Sequence, residues 1–426
     1  MVGRSGGRRR IAVIGAGVAG LTAAHVLQRS TDVTLFESDD RLGGHAHTHD
    51  VPSAAGHTLA VDSGFIVHNR RTYPMLLRLF DELGVATQPT EMSMSVRCEG
   101  CGLEYAGARG LAGLFASPAA LRSPRYLALL SQVPRFHRRA RALVAAGAGT
   151  AEPTLGEFLR AGRYSRYFVE HFVIPVVAAV WSCGPDRVLE YPARYLFQFL
   201  SHHGALSVSD SPTWRTVTGG SRTYVEQAAK NLSAVRTATP VRSVTRWADG
   251  VAVRDDADEV AEFDGVVIAT HADQALALLS DPSPAQRSAL SAFAYSRNVT
   301  VLHTDDSILP RHHGARASWN YLLPSCAPTP GAVRVSYDMN RLQRLDAAEP
   351  YVVTLNGDDR IRPERVLATM MYEHPIYTPA ALAAQRRLPA LNDGVTAFAG
   401  AYHGWGFHED GCRSGVDAAR SLGVDW

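Results

Sequence analysis

Three glycines, Gly15, Gly17 and Gly20, are spaced as GxGxxG, and an acid, Glu37, stands 22 residues after the first. This pattern can hold the pyrophosphate of a dinucleotide. The first glycine permits a tight turn, the second lets backbone approach the phosphates, and the third lets a helix pack closely on a strand. A helix opening at Val18 and Ala19 turns its N–H groups toward the anion. Glu37, with Ser38 beside it, is placed to accept from a ribose hydroxyl. Arg41, Gly43 and Gly44 then add a guanidinium and bare amides along the same pyrophosphate.

These residues work only if a strand, a helix and a second strand place them. Residues 10–14 (RIAVI) read as a buried strand, the stretch to Arg29 as a helix with Leu21, Ala24 and Leu27 on one face, and Val33–Phe36 as the next strand. A helix is expected over Thr72–Leu83 and a hairpin over 93–105 with its turn at Glu99–Gly102. Helical patterns run on to about His203. Residues 235–270 read as strand–turn–strand ending in GVVIAT, and 332–337 and 351–355 as strands of a second sheet. Val395–Ala399 is a further strand, followed by a glycine-rich loop and a last helix from about Gly411 to Leu422.

The composition is that of a globular chain, with 46% hydrophobic and 20% charged residues among 426. A net charge of +2 gives no field for nucleic acid. Lys230 is the sole lysine, a bias toward arginine with no functional meaning by itself. Five cysteines are an odd, sparse set that argues against a disulfide scaffold. Met1–Arg10 is basic but lacks the apolar region of a signal peptide, and Phe172–Trp181 is too short to span a bilayer. A cytoplasmic protein is expected.

Beyond the GxGxxG–acid–RLGG run, the chain resembles the superfamily of flavin-containing amine oxidases, protoporphyrinogen oxidases and phytoene desaturases. The resemblance implies non-covalently bound FAD. It places Gly64, Phe65 and Ile66 beside the flavin ring, Gly219 and Gly220 at the start of a flavin-domain helix, and the backbone of Val241 at adenine. Ala269 and Thr270 look like the family's strand end. Gly400 looks like its last strand-end glycine, and GFHEDGCRSG, with Phe407, His408 and Glu409, like its closing motif. The family has an acid after that glycine; here Ala401 stands instead, which weakens the ribityl contact.

More narrowly, RLGGHA, VDSGFIVHNRRTYP, WSCGP and GWGFHEDG are similar to a bacterial subgroup related to the flavoprotein-like region of plant cyclopropane fatty-acid synthases. That implies a fatty-acyl lipid substrate and a lipid methyltransferase partner. The overall plan also resembles polyunsaturated fatty-acid isomerases. Many amine oxidases of the superfamily place a lysine near the flavin, and Lys230 does not match that position.

Other clusters read more plainly. Cys98 and Cys101 form CxxC, without a second pair, and fit a hairpin turn better than a zinc or redox site. His45, His47 and His49 alternate but lack a completing ligand, so no metal is expected. His202–His203 and His312–His313 read as loop or surface residues. Trp181, Tyr191, Trp319, Tyr337 and Tyr402 are candidates for an apolar slot over the flavin, and Tyr402 and His403 for catalysis. Residues 106–151 contain no acid and carry Arg109, Arg122, Arg125, Arg135, Arg138, Arg139 and Arg141. They read as a solvated helical face, or as a peripheral dock on anionic lipid at the inner face of the membrane.

The expected architecture is α/β. A Rossmann-type FAD domain (8–85, 213–290 and 391–426) is interleaved with an α+β substrate domain (86–212 and 291–390). The expected function is FAD-dependent hydride removal from a hydrophobic, fatty-acyl substrate, the proton leaving to solvent or to His403. The alternatives are a redox-neutral double-bond isomerase, an amine oxidase, and a non-catalytic flavoprotein partner of a methyltransferase.

Overall fold

The computed structural model describes residues 7–147, 152–207, 211–327 and 333–426. The basic residues 1–6, the end of the acid-free stretch (148–151) and the first residue of the strand expected at 332 lie outside them.

Strand β1 (Arg10–Ile14) leads through the glycine loop into helix α1 (Val18–Leu27) and then strand β2 (Asp32–Phe36). Five parallel strands form one sheet, in the order Ala234–Arg236, β2, β1, Gly265–Ile268 and Thr396–Phe398. Alternate residues serve opposite faces, as a strand requires. Ile11, Val13, Val33, Leu35 and Val267 pack toward α1 and the last helix. Ala12, Ile14, Phe36, Val266 and Ile268 pack toward the helices of 272–290 and 379–385. Such near-continuous hydrophobic runs belong to a parallel sheet covered on both sides. A three-stranded antiparallel sheet (Val241–Trp247, Gly250–Asp255 and Val260–Phe263) is inserted between the third and fourth strands in chain order.

A second, seven-stranded sheet runs in the order Val366–Ile376, Ala294–His303, Val352–Leu355, Val335–Asp338, Trp319–Leu323, Met94–Cys98 and Glu104–Gly107. It is antiparallel except where Trp319–Leu323 meets Met94–Cys98. The helices between 110 and 202 pack beside it in one continuous core that includes Tyr126, Phe136, Phe168, Phe197 and Tyr321. The expected hairpin at 93–105 is present.

Two helix boundaries differ from expectation for identifiable reasons. The helix expected from Thr72 starts at Pro74, a residue suited to a first helical position, and the Glu409 carboxylate accepts from Met75 and Leu76 N–H. The last helix spans His408–Ser421 and begins a turn early, because Asp410 reaches back to accept from Trp405 and Phe407 N–H at 3.0 and 3.1 Å.

The last helix lies close against α1 because two of its glycines carry no side chain. A methyl at Gly411 would sit 2.6 Å from Val18 Cγ1, and one at Gly415 would sit 2.4 Å from the Ala19 carbonyl oxygen. Gly415→Ala should therefore lower unfolding stability by about 1–3 kcal/mol, the usual cost of overpacking. Denaturant unfolding checks this, and an unchanged midpoint would remove the glycine seam as the reason for the packing.

Candidate active site

The glycine loop is fixed by the protein at two positions and left open at a third. Gly15 has a left-handed φ of 99°, and its N–H donates to Phe36 C=O at 2.8 Å. A methyl at Gly20 would lie 1.8 Å from the Gly15 carbonyl oxygen. At Gly17, by contrast, a methyl would meet nothing within 4 Å. The second loop closes over this point: Gly43 N–H donates to Ala16 C=O at 2.9 Å, and a methyl at Gly44 would lie 3.2 Å from Gly17 Cα. Bare backbone facing open space, with the first turn of α1 (Val18, Ala19) behind it, is a cradle for a diphosphate. The residues present therefore fit FAD.

Glu37 ends β2 and spans the loop. It accepts from Ala16 N–H at 2.7 Å, Asp39 N–H at 3.0 Å and the Ser38 hydroxyl at 3.1 Å. Arg41 is half-buried beside the same loop, 3.9 Å from Asp39. Thr239 N–H donates to Glu37 C=O at 2.8 Å, which brings the strand opening at Val241 to this end of the site. Ala269 N–H donates to Ile14 C=O at 2.8 Å, so Ala269 and Thr270 border Gly15.

At the other end, buried Asp62 accepts from Thr48 Oγ1 at 2.6 Å, Ser221 Oγ at 2.8 Å, Ser221 N–H at 2.9 Å and Gln343 Nε2 at 3.0 Å. Burial pushes its pKa up to about 6, against the pull of these donors. Asp62 anchors the segment that follows. There Gly64 leaves room for the His45 carbonyl, where a methyl would lie at 2.0 Å, and Phe65 N–H donates to that carbonyl at 2.7 Å. Ile66 is buried nearby, and the Phe65 ring stacks on His408 with centroids 3.7 Å apart. Phe65 and His408 thus come together, while Ile66 packs against Val51 and Val61.

A histidine group missed from the sequence sits beside this segment. His45 has a buried Nε2 with no protein partner and lies 5.3 Å, centroid to centroid, from His374. Asn298 Nδ2 and His374 Nδ1 are 3.1 Å apart. Burial holds His45 well below its usual pKa and His374 down to about 4, so both rings are neutral near pH 7. His374 falls on a strand far along the chain, and no local motif announces it. His47 and His49 turn instead to Tyr372 and Ser63, and the three alternating histidines form no ligand cluster among the described residues.

The C-terminal loop meets some expectations and corrects others. Gly400 N–H donates to Ser414 Oγ at 2.9 Å. Tyr402, expected to be catalytic, packs in the core against Phe293 at 5.2 Å, where it supports the sheet rather than a substrate. His403 is half-buried; burial lowers its pKa to about 3 and its Nε2 has no protein partner, so it could accept a proton only weakly. Glu409, expected at the cofactor, directs its carboxylate to the helix at Pro74–Leu83, and burial raises its pKa to about 7.

The apolar slot also differs from expectation. Tyr191 is buried core, and Trp319 and Tyr337 pair edge-to-face with each other at 5.1 Å. Trp181 does meet the C-terminal loop: its Nε1–H donates to Trp405 C=O at 3.3 Å and its ring lies 4.8 Å from Phe199. The other aromatic residues that meet this loop are Tyr195, Phe199, Tyr377, Trp405 and Phe407. Phe199 stacks on Phe407 at 4.6 Å, Tyr195 lies 5.3 Å from Tyr377, and Trp405 Nε1 is buried without a partner. Tyr195 and Phe199 are one helical turn apart, a spacing that was legible. His203, expected at the surface, is wedged between Phe199 and Trp214. The CxxC reading needs correction too: the hairpin turn is present, but His171 and Cys326 join Cys98 and Cys101 there.

Gly17→Ala should fold normally yet bind little FAD, because its methyl enters only the open cradle. Glu37→Ala should weaken FAD binding less, by the loss of hydroxyl bonds of about 1.5–3 kcal/mol. The flavin-to-protein absorbance ratio of each purified variant checks this. Full occupancy in both would remove the cradle from this position.

The family model for flavin containing amine oxidoreductases matches residues 18–422. AofH of Mycobacterium tuberculosis, assigned as a flavin-containing monoamine oxidase, is 30% identical over 283 residues, 64% of this chain and 59% of that protein. The chain thus spans under two thirds of that relative's length. The L-tryptophan oxidase RebO of Lentzea aerocolonigenes is 54% identical over 46 residues, 11% of this chain and 10% of its own. Among solved structures, a putrescine oxidase variant superposes with a TM-score of 0.69 at 16% identity, covering 97% of this chain and 98% of its own. A CLA-producing fatty acid isomerase from P. acnes gives 0.66 at 17% identity, covering 98% and 99%. With its glycine cradle in place and the family pattern running through nearly the whole length, this chain belongs to the flavin containing amine oxidoreductases.

Proposed function

We propose that the enzyme takes hydride from a C–H bond of a hydrophobic, fatty-acyl substrate bound among Tyr195, Phe199, Tyr377, Trp405 and Phe407. The observation that carries this reading is the chemistry around that aromatic group. The two acids of the adjoining loop are already engaged, Glu409 by backbone N–H groups and Asp410 by backbone and Arg413, and Lys230 is exposed. An ammonium substrate would find aromatic faces there, but neither of those carboxylates is free to pair with it. An alkyl chain loses nothing by that.

FAD, when bound, supplies the hydride acceptor. Phe407 and the Phe65–His408 stack would position the chain's reactive carbon, and the packed rings would exclude water. His45 and His374 are held neutral by burial, so like His403 they would take up a proton only weakly, and the departing proton would leave to solvent. Anaerobic mixing of the holoenzyme with unsaturated fatty acids should bleach the flavin's visible absorption, whereas putrescine or cyclohexylamine should not. Bleaching by amines alone would overturn the reading, and acyl turnover with the flavin left oxidised would favour isomerisation.

Contact with a membrane would deliver such a substrate. No helix among the described residues is long and apolar enough to cross one. Leu111, Leu121 and Leu127 are 74%, 56% and 43% exposed, with Arg122 and Arg125 exposed beside the latter two in the chain. Arg109, Arg135 and Arg139 are not free for this, since they contact Glu91, Gly162 C=O with the Tyr164 ring, and the Phe158 ring. Leu121→Glu with Arg122→Glu and Arg125→Glu should abolish co-sedimentation with anionic vesicles at low salt. Unchanged sedimentation of the triple variant would return this face to a solvated role.

A further inference from the structure

We propose that Cys98, Cys101, His171 and Cys326 form a closed structural zinc site that staples the substrate-side sheet to its helices. Their ligand atoms all lie within 4.8 Å of one another. Cys98 Sγ and Cys326 Sγ are 3.8 Å apart, and Cys101 Sγ is 3.6 Å from His171 Nε2. A tetrahedral zinc with Zn–S bonds of about 2.3 Å and Zn–N bonds of about 2.0–2.1 Å holds sulfurs about 3.8 Å apart and sulfur and nitrogen about 3.6 Å apart. Both pairs match. The sulfur–sulfur distance is also far beyond a disulfide bond of about 2.05 Å.

Three separate segments are shaped to make this cluster. Cys98 ends its strand in register with Leu323, so the chain needs only three more residues to bring Cys326 back to the hairpin tip. The tip then packs on that return: a methyl at Gly100 would lie 2.8 Å from Cys326 N, and Gly102 takes a left-handed φ of 72°. The Cys101 and Leu103 N–H groups point to the Cys98 and Cys101 sulfurs, respectively, so the hairpin turn fixes both sulfurs.

His171 comes from a single π-helical turn, Val169–Val173, inside otherwise α-helical chain. Such a turn inserts a residue and re-aims its side chains, and it is common at functional sites. Nδ1 of His171 lies 3.2 Å from Tyr167 C=O, so that nitrogen must carry the proton and Nε2 keeps its lone pair toward the sulfurs. Metal-binding histidines almost always donate the other ring N–H in this way, to a carboxylate, a backbone carbonyl or water, which fixes the ring's orientation. The Tyr167 ring stacks on His171 at 3.9 Å, its hydroxyl 3.5 Å from Cys101 Sγ.

Four protein ligands leave no open position, so the ion would hold structure and perform no catalysis. Cys98 and Cys326 are 228 residues apart, and Cys101 and His171 are 70 apart, so the ion would join contacts otherwise costly in chain entropy. The hairpin lies at the opposite edge of the seven-stranded sheet from Val366–Ile376, the strand that carries His374. Loss of the ion should therefore spare the FAD cradle.

Elemental analysis of holoprotein purified under reducing conditions without chelator should find about one zinc per chain. Cobalt in its place should give intense ligand-field bands to the red of the flavin absorption, the signature of tetrahedral thiolate coordination. Cys326→Ser should lose the metal and melt at lower temperature while keeping its flavin, and Cys326→His should retain metal. Metal-free wild-type protein, cobalt spectra typical of six-coordination, or a Cys98–Cys326 disulfide found in the purified protein would each overturn the proposal. The wild-type measurements decide it even if the variants fail to fold.

Discussion

A methyl group on Gly20 would lie 1.8 Å from the carbonyl oxygen of Gly15, and much of the cofactor side of this enzyme follows from that contact. It sets α1 directly against the end of β1. The same economy of side chains lets Gly411 and Gly415 seat the last helix on α1, and lets Gly43 and Gly44 fold over the loop. Three stretches remote in sequence therefore converge on one bare patch of backbone at Gly17. The patch is open because its neighbours are so tightly packed.

The far end of the cleft depends on burial of polar groups. Asp62 takes hydrogen bonds from the Thr48 hairpin, from the turn at Ser221 and from Gln343 of the substrate side. These donors offset part of the cost of burying the carboxylate, and losing one of them would leave it poorly satisfied. Asp62 fixes where Gly64 and Phe65 lie against His45. Burial disfavours charge on the histidines as well. His45, His374, His403 and His408 are all held neutral, which suits a dry pocket for a C–H donor better than a cationic one.

The cofactor side was legible in the sequence because its residues act locally. Gly15, Gly17, Gly20 and Glu37 are read by spacing within one βαβ unit, and Arg41 to Gly44 follow directly. The proposed substrate group was not. Tyr195 and Phe199 come from one helix, Tyr377 follows a strand and Phe407 lies in a loop, so only tertiary packing unites them. Tyr402 misleads because it sits within a cofactor motif yet points into the core. Glu409 misleads similarly, its position being familiar while its carboxylate caps a neighbouring helix. Cys326 and His171 lie far along the chain from the CxxC and from each other, so CxxC alone read as a turn.

The proposed activity rests on the aromatic group of Tyr195, Phe199, Tyr377, Trp405 and Phe407 taking an alkyl chain in preference to an ammonium. Titration of the oxidised holoenzyme under anaerobic conditions, with a non-reactive saturated fatty acid and with an aliphatic amine of the same chain length, tests it most directly. The fatty acid should perturb the flavin's visible spectrum saturably, and replacing Phe407 with alanine should weaken that response. A saturable perturbation by the amine, with none by the acid, would contradict it.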